Sequence, residues 1–473
     1  MNNKKIIYVL VFFSALFLSL AVYLTTVGVY KRDEYAKKDL GRSLKRETDM
    51  QRGDIYDRNG EKIAYTKIEN NKASRIYPYK NLYSHLVGYY TEKRGSSLLE
   101  NRYSNTLNSV SVSDDVMKIA SFLNNKKPKG SDLYLTADHR LQKKCSEILS
   151  PYKEGAIIVS NPKTGEIYAM VSKPDFDPSE SNLYKNWDKM STDDTLFPFL
   201  TRATQGLYAP GSTYKIVTSA AMIKNGKSSF TAEDKGKTEI NGTTIKNAKS
   251  ASYGNLDLQS AFAHSSNVYF ALAGIETGEN ALRSMSESFM MNKDFDIKDF
   301  YLARSVFPEK IEYDDSLALA SIGQDKVLIS PMHLNLITCA IANDGKMPDP
   351  YLVAKVKSNL DGTEKHTSAK MLKQAIDAQS AQIIKDNMKK AVDSGTGAGA
   401  AIAGKNICGK TGTAENEKTN ENPNLTHSWF TSFAPYENPT VCVTVLLAYS
   451  GSSSLAASAA QRVYSAYYSI FKE

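Results

Sequence analysis

The chain has 473 residues, a length that suits two or three domains rather than one. Hydrophobic residues make up 41% of it and aromatic residues 10%, which is enough to build a sizeable buried core. The formal net charge of +8 is spread along the sequence, and neither a dense Lys/Arg block nor a nucleic-acid-binding motif is present. We therefore expect no nucleic-acid partner, and a basic surface that faces anionic polymers or lipid.

The N-terminal segment is predicted to cross a membrane once. Residues Ile6 to Tyr30 form an uncharged, mostly apolar run behind Lys4 and Lys5, and a bilayer requires about 20 such residues. The run is longer than the apolar core of a cleaved signal peptide, and no small-x-small cleavage site follows it. We expect an uncleaved signal anchor at residues 6–30, after a cytoplasmic tail of residues 1–5.

A small β-rich module is predicted at residues 31–131. Within it, Asp57-Arg-Asn-Gly60 is typical of a tight turn, because Asn-Gly readily supplies the positive φ that a hairpin needs. The flanking pieces Ile55–Tyr56 and Ile63–Tyr65 are expected to be strands. The rest of the module mixes short apolar pieces with glycine and asparagine and shows no repeat.

Residues 132–473 are predicted to form one α+β domain. Strand-like runs occur at both ends of this region, around a helical middle, so one sheet is expected to join the two ends. The predicted strands are 132–136, 155–160, 166–171, 407–413, 427–433 and 440–448, and the predicted helices are Asp138–Leu149, Ser212–Lys224 and Ala456–Phe471.

The first motif with chemical meaning is Ser212-Thr-Tyr-Lys215, which follows Ala209-Pro-Gly211. A serine hydroxyl is a weak nucleophile until a neighbouring group removes its proton. Lys215 lies three residues after Ser212, so both side chains share one face of a helix. Burial would lower the pKa of Lys215 and let it act as a general base. We predict that Ser212 is the nucleophile.

The second motif is Ser265-Ser-Asn267, which is expected in a loop between two helices. The Ser265 hydroxyl can relay a proton to a leaving amine. The Asn267 side chain offers both a donor and an acceptor, one for Lys215 and one for a substrate amide.

The third motif, Lys410-Thr-Gly-Thr413, is predicted on a strand. Lys410 is a second cation that helps keep Lys215 neutral and attracts a carboxylate, which the hydroxyls of Thr411 and Thr413 can bind. The backbone N–H groups of Ser212 and Thr413 form the predicted oxyanion hole. The predicted catalytic residues are Ser212, Lys215, Ser265, Asn267 and Lys410, and the predicted substrate-binding residues are Thr411, Gly412 and Thr413.

No metal or cofactor is expected. The four cysteines show no C-x-x-C spacing, and we predict four separate, buried, free thiols. Cys408 and Cys442 should be kept apart by an intervening strand, since a disulfide requires Cα atoms within about 7 Å. His264 is expected to be a packing or surface residue, and His427 is expected to line the groove.

The three motifs, in this order, are the set found in penicillin-binding proteins and serine β-lactamases. The chain as a whole resembles the class B penicillin-binding proteins, the monofunctional cell-wall transpeptidases. Arg52–Gly60 is similar to the segment that opens the pedestal of that family, and Leu99-Glu100 is similar to its Gly-Leu-Glu motif, with Ser97-Leu98 in place of the usual start. Further family-like segments are Asn161–Ile167, Ser172–Pro174, Phe176–Pro178, Ile341–Gly345 and Trp429–Phe430.

The resemblance implies an α+β fold with a transmembrane helix, a small pedestal and a transpeptidase domain whose five-stranded antiparallel sheet is flanked by helices. It implies a D,D-transpeptidase that cross-links peptidoglycan stem peptides through a Ser212 acyl-enzyme and is inhibited by β-lactams, as in compact enzymes of Gram-positive bacteria. A membrane glycosyltransferase of the SEDS family is the implied partner. The catalytic domain would then be extracytoplasmic. More basic residues follow the anchor than precede it, which by the positive-inside rule would favour the opposite orientation, but that rule weakens for long translocated domains.

One departure and two alternatives accompany this interpretation. Gly323-Gln-Asp325 stands where the family usually has Gly-Gln-Gly, and glycine would permit a positive φ there; we expect an altered turn but retained catalysis. A D,D-carboxypeptidase or β-lactamase is the alternative enzyme, although no Glu-x-x-Leu-Asn motif lies between Asn267 and Lys410. A β-lactam sensor or a structural division protein is the non-enzymatic alternative, and a sensor would need a cytoplasmic signalling domain larger than residues 1–5.

Overall fold

The computed structural model describes residues 51–70, 72–108 and 129–472, together with helical positions at residues 8, 12–14 and 16–19. Most of the predicted anchor at residues 6–30 lies outside the described residues, as do parts of the predicted module at residues 31–131. Within the described ranges, no helix has the length and apolarity that a bilayer crossing requires.

The strands, in chain order, are β1 (Ile55–Tyr56), β2 (Lys62–Glu69), β3 (Lys72–Ile76), β4 (Tyr90–Thr91), β5 (Gly95–Ser96), β6 (Asp132–Leu135), β7 (Gly155–Ser160), β8 (Ile167–Lys173), β9 (Ala232–Asp234), β10 (Lys237–Ile240), β11 (Thr243–Lys246), β12 (Gly254–Leu256), β13 (Lys346–Pro348), β14 (Val353–Lys357), β15 (Glu364–His366), β16 (Met371–Gln374), β17 (Cys408–Ala414), β18 (His427–Ala434) and β19 (Val441–Leu447).

The α-helices are α1 (Ser84–Val87), α2 (Leu98–Arg102), α3 (Ser104–Leu107), α4 (His139–Leu149), α5 (Glu180–Ser191), α6 (Lys215–Lys224), α7 (Leu258–His264), α8 (Asn267–Thr277), α9 (Glu279–Ser288), α10 (Asp314–Ser321), α11 (Pro331–Ala342), α12 (Ala378–Ser394) and α13 (Ser453–Phe471). Short 3₁₀ helices occur at Lys80–Tyr83, Gly211–Tyr214, Ala248–Ser250, Ala398–Ala400 and Glu417–Asn420.

The first large sheet, here called the pedestal sheet, has six strands in the order β15-β14-β6-β1-β2-β3. Its β1–β2 hairpin is the predicted one, and Gly60 adopts a φ of +89° in the turn. Strand β1 also pairs in parallel with β6, so that Ile55 lies opposite Leu133. The predicted second domain begins at residue 132, whereas the structure places β6 and residues 353–366 in the pedestal sheet.

The second large sheet, the central sheet, has the order β17-β18-β19-β7-β8, and all its pairs are antiparallel. This confirms the prediction of a five-stranded antiparallel sheet that joins the two ends of the region. Helices α4 and α13 cover one face and α11 covers the other. Successive side chains of a strand point to opposite faces, so Ile157 and Val159 pack in the first layer while Ala156 and Ile158 pack in the second. Both faces are buried, which explains why β7 is apolar almost throughout.

The last helix, α13, matches the predicted C-terminal helix. Ala456, Ala460, Val463, Tyr464 and Tyr467 recur at helical spacing and are buried against the central sheet. The helix therefore covers one face of the central sheet.

A buried ion cluster holds the pedestal together. The carboxylate of Glu100, which is fully buried, accepts from Arg52 Nε at 2.6 Å and from Arg75 Nε at 2.7 Å. The Arg52 guanidinium also lies 4.4 Å from the centroid of the Tyr90 ring. Burial alone would raise the pKa of Glu100, but the charges of Arg75 and Arg52 outweigh it and hold that pKa below its ordinary value. The two family-like segments around Arg52 and Glu100 thus meet in space.

The turn after β1 joins the pedestal sheet to the central-sheet region. Asp57 Oδ2 accepts from the backbone N–H of His139 at 3.0 Å, at the start of α4. The Arg58 guanidinium lies 4.9 Å from the centroid of the Tyr168 ring on β8. This hydrogen bond and this cation–ring contact therefore attach the turn of the pedestal sheet to helix α4 and strand β8.

All four cysteines are free and buried, as predicted. Cys408 and Cys442 pair with Phe433 from opposite sides, so strand β18 separates them. Burial, and then the neighbouring Cys339 side chain, raise the pKa of the Cys442 thiol well above its ordinary value. Helix α11 packs on the central sheet and brings Cys339 there, which is a tertiary contact that local sequence does not reveal.

Candidate active site

Ser212 lies at the entrance to helix α6. It is the second residue of the 3₁₀ turn Gly211–Tyr214, and Lys215 follows as the first residue of α6. Ser212 is partly exposed, whereas Lys215 is fully buried. The predicted nucleophile and base are therefore one helical turn apart, with the serine open to solvent and the lysine enclosed.

Two glycines bring this turn into backbone contact with β17. A Cβ on Gly211, whose φ is +52°, would lie 2.5 Å from Thr413 O. A Cβ on Gly412 would lie 2.7 Å from Pro210 O. Neither contact leaves room for a side chain. The two segments that carry the predicted oxyanion hole, at Ser212 and Thr413, are thereby held side by side.

The amine of Lys215 is bound by the second motif. Its Nζ donates to Ser265 O at 2.8 Å and to Asn267 Oδ1 at 2.7 Å, and it lies 3.4 Å from Ser265 Oγ. Burial, and then the charge of Lys410, lower the pKa of Lys215 well below its ordinary value, while the charge of Asp234 opposes them. The arrangement favours a neutral amine that can accept a proton.

The second motif forms the turn between α7 and α8, as predicted. Ser265 has left-handed backbone angles, with φ 59° and ψ 40°, and ends α7. Ser266 is the N-cap of α8, and its Oγ accepts from Tyr269 N at 2.9 Å. Asn267 Nδ2 donates to Lys246 O at 2.8 Å. The Asn267 amide is therefore oriented with its oxygen toward Lys215.

Lys410 approaches the same turn from β17. Its Nζ donates to Ser265 Oγ at 2.7 Å and lies 5.5 Å from the centroid of the Phe262 ring. Burial lowers the pKa of Lys410 to about 7. Lys215, Ser265, Asn267 and Lys410 thus form one connected hydrogen-bonded group, which the sequence motifs predicted to assemble.

Thr411 and Thr413 both line the cavity in front of Ser212. Thr413 is exposed, whereas Thr411 is buried and its Oγ1 lies 2.7 Å from Thr396 Oγ1. Thr396 was missed in the sequence. The sequence feature that could have indicated it is the pair of glycines on either side, Gly395 and Gly397. A Cβ on Gly395 would lie 2.3 Å from Ala263 O, so the loop can pass close to α7 only with glycine there.

The cavity has a volume of about 430 Å³, within the usual range for a ligand site. Polar and apolar side chains both line it, with Ile245, Leu319 and Ile322 among the apolar ones. The lining includes Ser212, Ser265, Asn267, Thr396, Thr411 and Thr413.

The two histidines of interest differ in position. His264 is exposed at the cavity wall, and its ring stacks on Tyr253 with centroids 4.6 Å apart. The expectation that His427 lines the groove is wrong. His427 is 3% exposed and packs between the rings of Tyr208 and Tyr449, at 5.2 Å and 4.8 Å, and burial lowers its pKa to about 4.

The loop at Gly323-Gln-Asp325 has a positive φ at its first and last residues. Asp325 adopts a φ of +59° and Gly323 a φ of +73°. Aspartate tolerates left-handed angles better than most residues. Gly211 N donates to Gly323 O at 2.9 Å, so this loop supports the turn that carries Ser212.

Across the described part of the chain, no group of three or more His, Cys, Asp or Glu side chains is placed to hold a metal ion.

Comparison with known families decides the classification. Residues 155–468 match the family described as the penicillin binding protein transpeptidase domain. The chain belongs to that family. Residues 52–133 match the penicillin binding protein A dimerisation domain, a range that contains strands β1 to β5 and the first two residues of β6. The resemblance to penicillin-binding proteins that the motifs indicated is confirmed.

Curated relatives agree with this assignment over most of the chain. The chain is 30% identical over 424 residues to the peptidoglycan D,D-transpeptidase PbpA of Mycolicibacterium smegmatis, which covers 86% of this chain and 85% of the relative. It is 29% identical over 429 residues to PbpA of Mycobacterium tuberculosis, with the same coverage.

Solved structures of this family have the same fold. Penicillin-binding protein A from M. tuberculosis, determined as a ceftriaxone acyl-enzyme, superposes with a TM-score of 0.83 at 28% identity and covers 89% of this chain and 99% of that one. The transpeptidase domain from Eggerthella lenta superposes with a TM-score of 0.79 at 30% identity, covering 89% and 99%.

Proposed function

We propose that the protein is a peptidoglycan D,D-transpeptidase that cross-links stem peptides through an acyl-enzyme at Ser212. The observation that carries this proposal is the placement of Lys215. Its buried amine lies one helical turn from Ser212 and is held by Ser265 O and Asn267 Oδ1. Relatives named peptidoglycan D,D-transpeptidases and neighbours solved as ceftriaxone and imipenem acyl-enzymes support it.

Acylation begins when Ser212 Oγ attacks the carbonyl carbon of the penultimate D-Ala. Neutral Lys215 takes the hydroxyl proton as the C–O bond forms. The oxygen of the tetrahedral intermediate becomes negatively charged and accepts from the backbone N–H groups of Ser212 and Thr413. Because Gly211 and Gly412 fix these two segments, the oxyanion site is formed before substrate binds.

Collapse of the intermediate breaks the peptide C–N bond and releases D-Ala. The departing amine needs a proton, and the Ser265 hydroxyl lies between Lys215 and Lys410 and can relay it. The free carboxylate of the substrate terminus is attracted by Lys410 and bound by the hydroxyls of Thr411 and Thr413. Gly412, between them, allows β17 to approach the serine turn.

Deacylation reverses these steps with a different nucleophile. An amine of a second stem peptide attacks the ester carbonyl, its proton returns through Ser265 to Lys215, and Ser212 leaves with a proton. A new peptide bond replaces the one that was broken. A β-lactam follows the same acylation route, but its ring-opened product stays attached and blocks the amine.

The test is covalent labelling with penicillin, followed by transfer to an amine. We expect mass spectrometry to locate one adduct at Ser212, with a lifetime of hours. Ser212→Ala should not be labelled, whereas Ser453→Ala, which removes another hydroxyl from the cavity wall, should be labelled normally. Labelling of Ser212→Ala would overturn the assignment.

The lifetime also separates the alternative enzymes. An adduct that is hydrolysed within seconds would indicate a β-lactamase. Hydrolysis of a donor peptide without transfer to an added amine would indicate a D,D-carboxypeptidase. Transfer to the amine in preference to water supports the transpeptidase.

The proposed location is the cell membrane, with the catalytic part outside the cytoplasm. The apolar run at residues 6–30 supports a single membrane anchor. The substrate, nascent peptidoglycan, lies outside the membrane and requires the same orientation. Fractionation of cells, and protease access from the outer side, test this; full release of the protein after a salt wash would contradict it.

The proposed partner is a SEDS-type glycosyltransferase that binds the anchor and the pedestal. What supports it is that residues 31–131 carry none of the three catalytic motifs, while cross-linking needs newly polymerised glycan nearby. Exchange of residues 6–30 for an unrelated transmembrane helix should weaken co-purification and leave penicillin labelling intact. Undiminished co-purification after both this exchange and pedestal deletion would place the docking surface on the transpeptidase domain.

A further inference from the structure

A buried carboxylate underlies the turn that carries Ser265 and Asn267. Asp234, the last residue of β9, is fully buried. It accepts three kinds of hydrogen bond, all from neutral donors. These are Gly236 N at 2.8 Å, Asn247 Nδ2 at 2.8 and 2.7 Å, and Ser266 Oγ at 2.5 Å. A carboxylate with this many donors is well satisfied and firmly oriented.

The first route from Asp234 to the active site is direct. Ser266 lies between Ser265 and Asn267 and caps helix α8. Its Oγ donates to Asp234 Oδ2 and accepts from Tyr269 N. Asp234 therefore fixes the rotamer of the capping hydroxyl, and with it the point where α8 begins.

The second route runs through Asn247. The Asn247 amide donates to Asp234, and its Oδ1 accepts from the backbone N–H groups of Asn267 at 2.7 Å and Val268 at 3.2 Å. The preceding residue, Lys246, accepts from Asn267 Nδ2 through its carbonyl. Lys246 and Asn247 thus hold both the backbone and the side chain of Asn267.

We propose that Asp234 is the positioning residue of the Ser265–Asn267 turn, and that through Ser266 and Asn247 it sets the two acceptors that hold the Lys215 amine. The proposal deepens the transpeptidase function and rests on it. Asp234 does not touch substrate; it acts through the turn. Nothing in the three motifs points to it, because it lies 32 residues before Ser266.

The charge of Asp234 also affects the pKa of Lys215, so its role can be tested by a measurement that geometry alone would not change. The groups that act on the Lys215 ammonium are Lys410 from β17, which disfavours the charged form, and Asp234 from β9, which favours it. Removing the Asp234 charge should let Lys215 lose its proton at a lower pH. A loss of turn geometry alone would slow acylation without shifting the acid limb of the pH profile, the range in which the rate falls as pH drops.

The experiment measures penicillin acylation rates against pH for the full chain and for Asp234→Asn, which keeps the shape and removes the charge. We expect the rate to fall by up to about 100-fold, as small misplacements of catalytic groups do, and the acid limb to move to lower pH. Ser266→Ala and Asn247→Ala each remove one route and should each lower the rate with no shift of that limb.

Asp257→Asn is the matched control. Asp257 is another aspartate of this region; it caps helix α7, but it is exposed and its side chain accepts from Ser260 N at the start of that helix. It should leave the rate and the pH profile unchanged. If the parent protein is labelled at Ser212 but Asp234→Asn keeps its rate and profile, the positioning role is wrong. Absence of labelling in the parent protein would instead refute the proposed function.

Discussion

Lys410 donates a hydrogen bond of 2.7 Å to the hydroxyl of Ser265, although the two residues are 145 positions apart in the chain. The bond occupies an acceptor position of that hydroxyl and polarises it, so its proton is available to a group on the other side. The carbonyl of Ser265 is bonded to Lys215. One serine therefore couples the proposed base to the cation that is proposed to attract the substrate carboxylate.

The first prediction concerns Lys215. Lys215→Ala should nearly abolish acylation by penicillin, because its amine is the buried base beside Ser212. The measurement is the second-order acylation rate, with circular dichroism to show that the fold is kept. Lys224→Ala, at the exposed end of the same helix, is the control and should acylate at the parent rate. Retained acylation in Lys215→Ala would mean that another residue activates the serine.

The second prediction is a bell-shaped pH profile for acylation. The rate requires Lys215 neutral, so it falls as pH drops through the lowered pKa of Lys215. It also requires Lys410 protonated, so it falls as pH rises above about 7, the lowered pKa of Lys410. Lys410→Arg keeps the charge at alkaline pH and should remove the alkaline limb. An alkaline limb that survives in Lys410→Arg would belong to another group.

The third prediction concerns the buried ion cluster of the pedestal. Glu100→Gln leaves Arg52 and Arg75 buried without their counter-charge, which typically costs about 3–5 kcal/mol in unfolding free energy. Denaturant titration of the full chain measures this. Glu69→Gln, in an exposed pair with Lys67 on β2, should leave it nearly unchanged, because solvent screens the interaction. Equal effects of the two substitutions would contradict the argument.

The same cluster predicts how acid affects the pedestal. The pKa of Glu100 is held below its ordinary value in the folded protein. Its contribution to stability is therefore complete above the ordinary carboxyl pKa and is lost as pH falls through the lowered one. The stability difference between the parent protein and Glu100→Gln should accordingly narrow in acid.

The fourth prediction concerns Asp325. Because its φ is +59°, Asp325→Gly should keep the turn and the acylation rate, and change the unfolding free energy by less than about 1 kcal/mol. Asp325→Val should cost about 1–2 kcal/mol, since a β-branched residue is strained in the left-handed region. A stable Asp325→Val would show that the turn has relaxed to another conformation.

Local pattern predicted much of the fold and most of the site. The strands of the central sheet, helix α13 and the three motifs could be recognised because each depends on residues close in sequence. The six-stranded pedestal sheet could not, since β6 pairs with β14 across more than two hundred residues. Asp234 and Asn247 were missed for the same reason, because they lie 32 and 20 residues before their partners in the turn. His427 was misplaced because strand alternation alone does not show which rings cover it.

The pedestal sheet has a consequence for how the chain is made. Its strand β1 lies near the start of the described chain, whereas β14 and β15 end only at residue 366. The ribosome therefore has to synthesise most of the protein before the sheet can be completed. Adding its last strands carries the entropy cost of joining segments that are distant in the chain. Until then β6 has one open edge. A chain that stops short of residue 353 would keep that edge permanently, as a surface on which strands of other molecules can pair and aggregate.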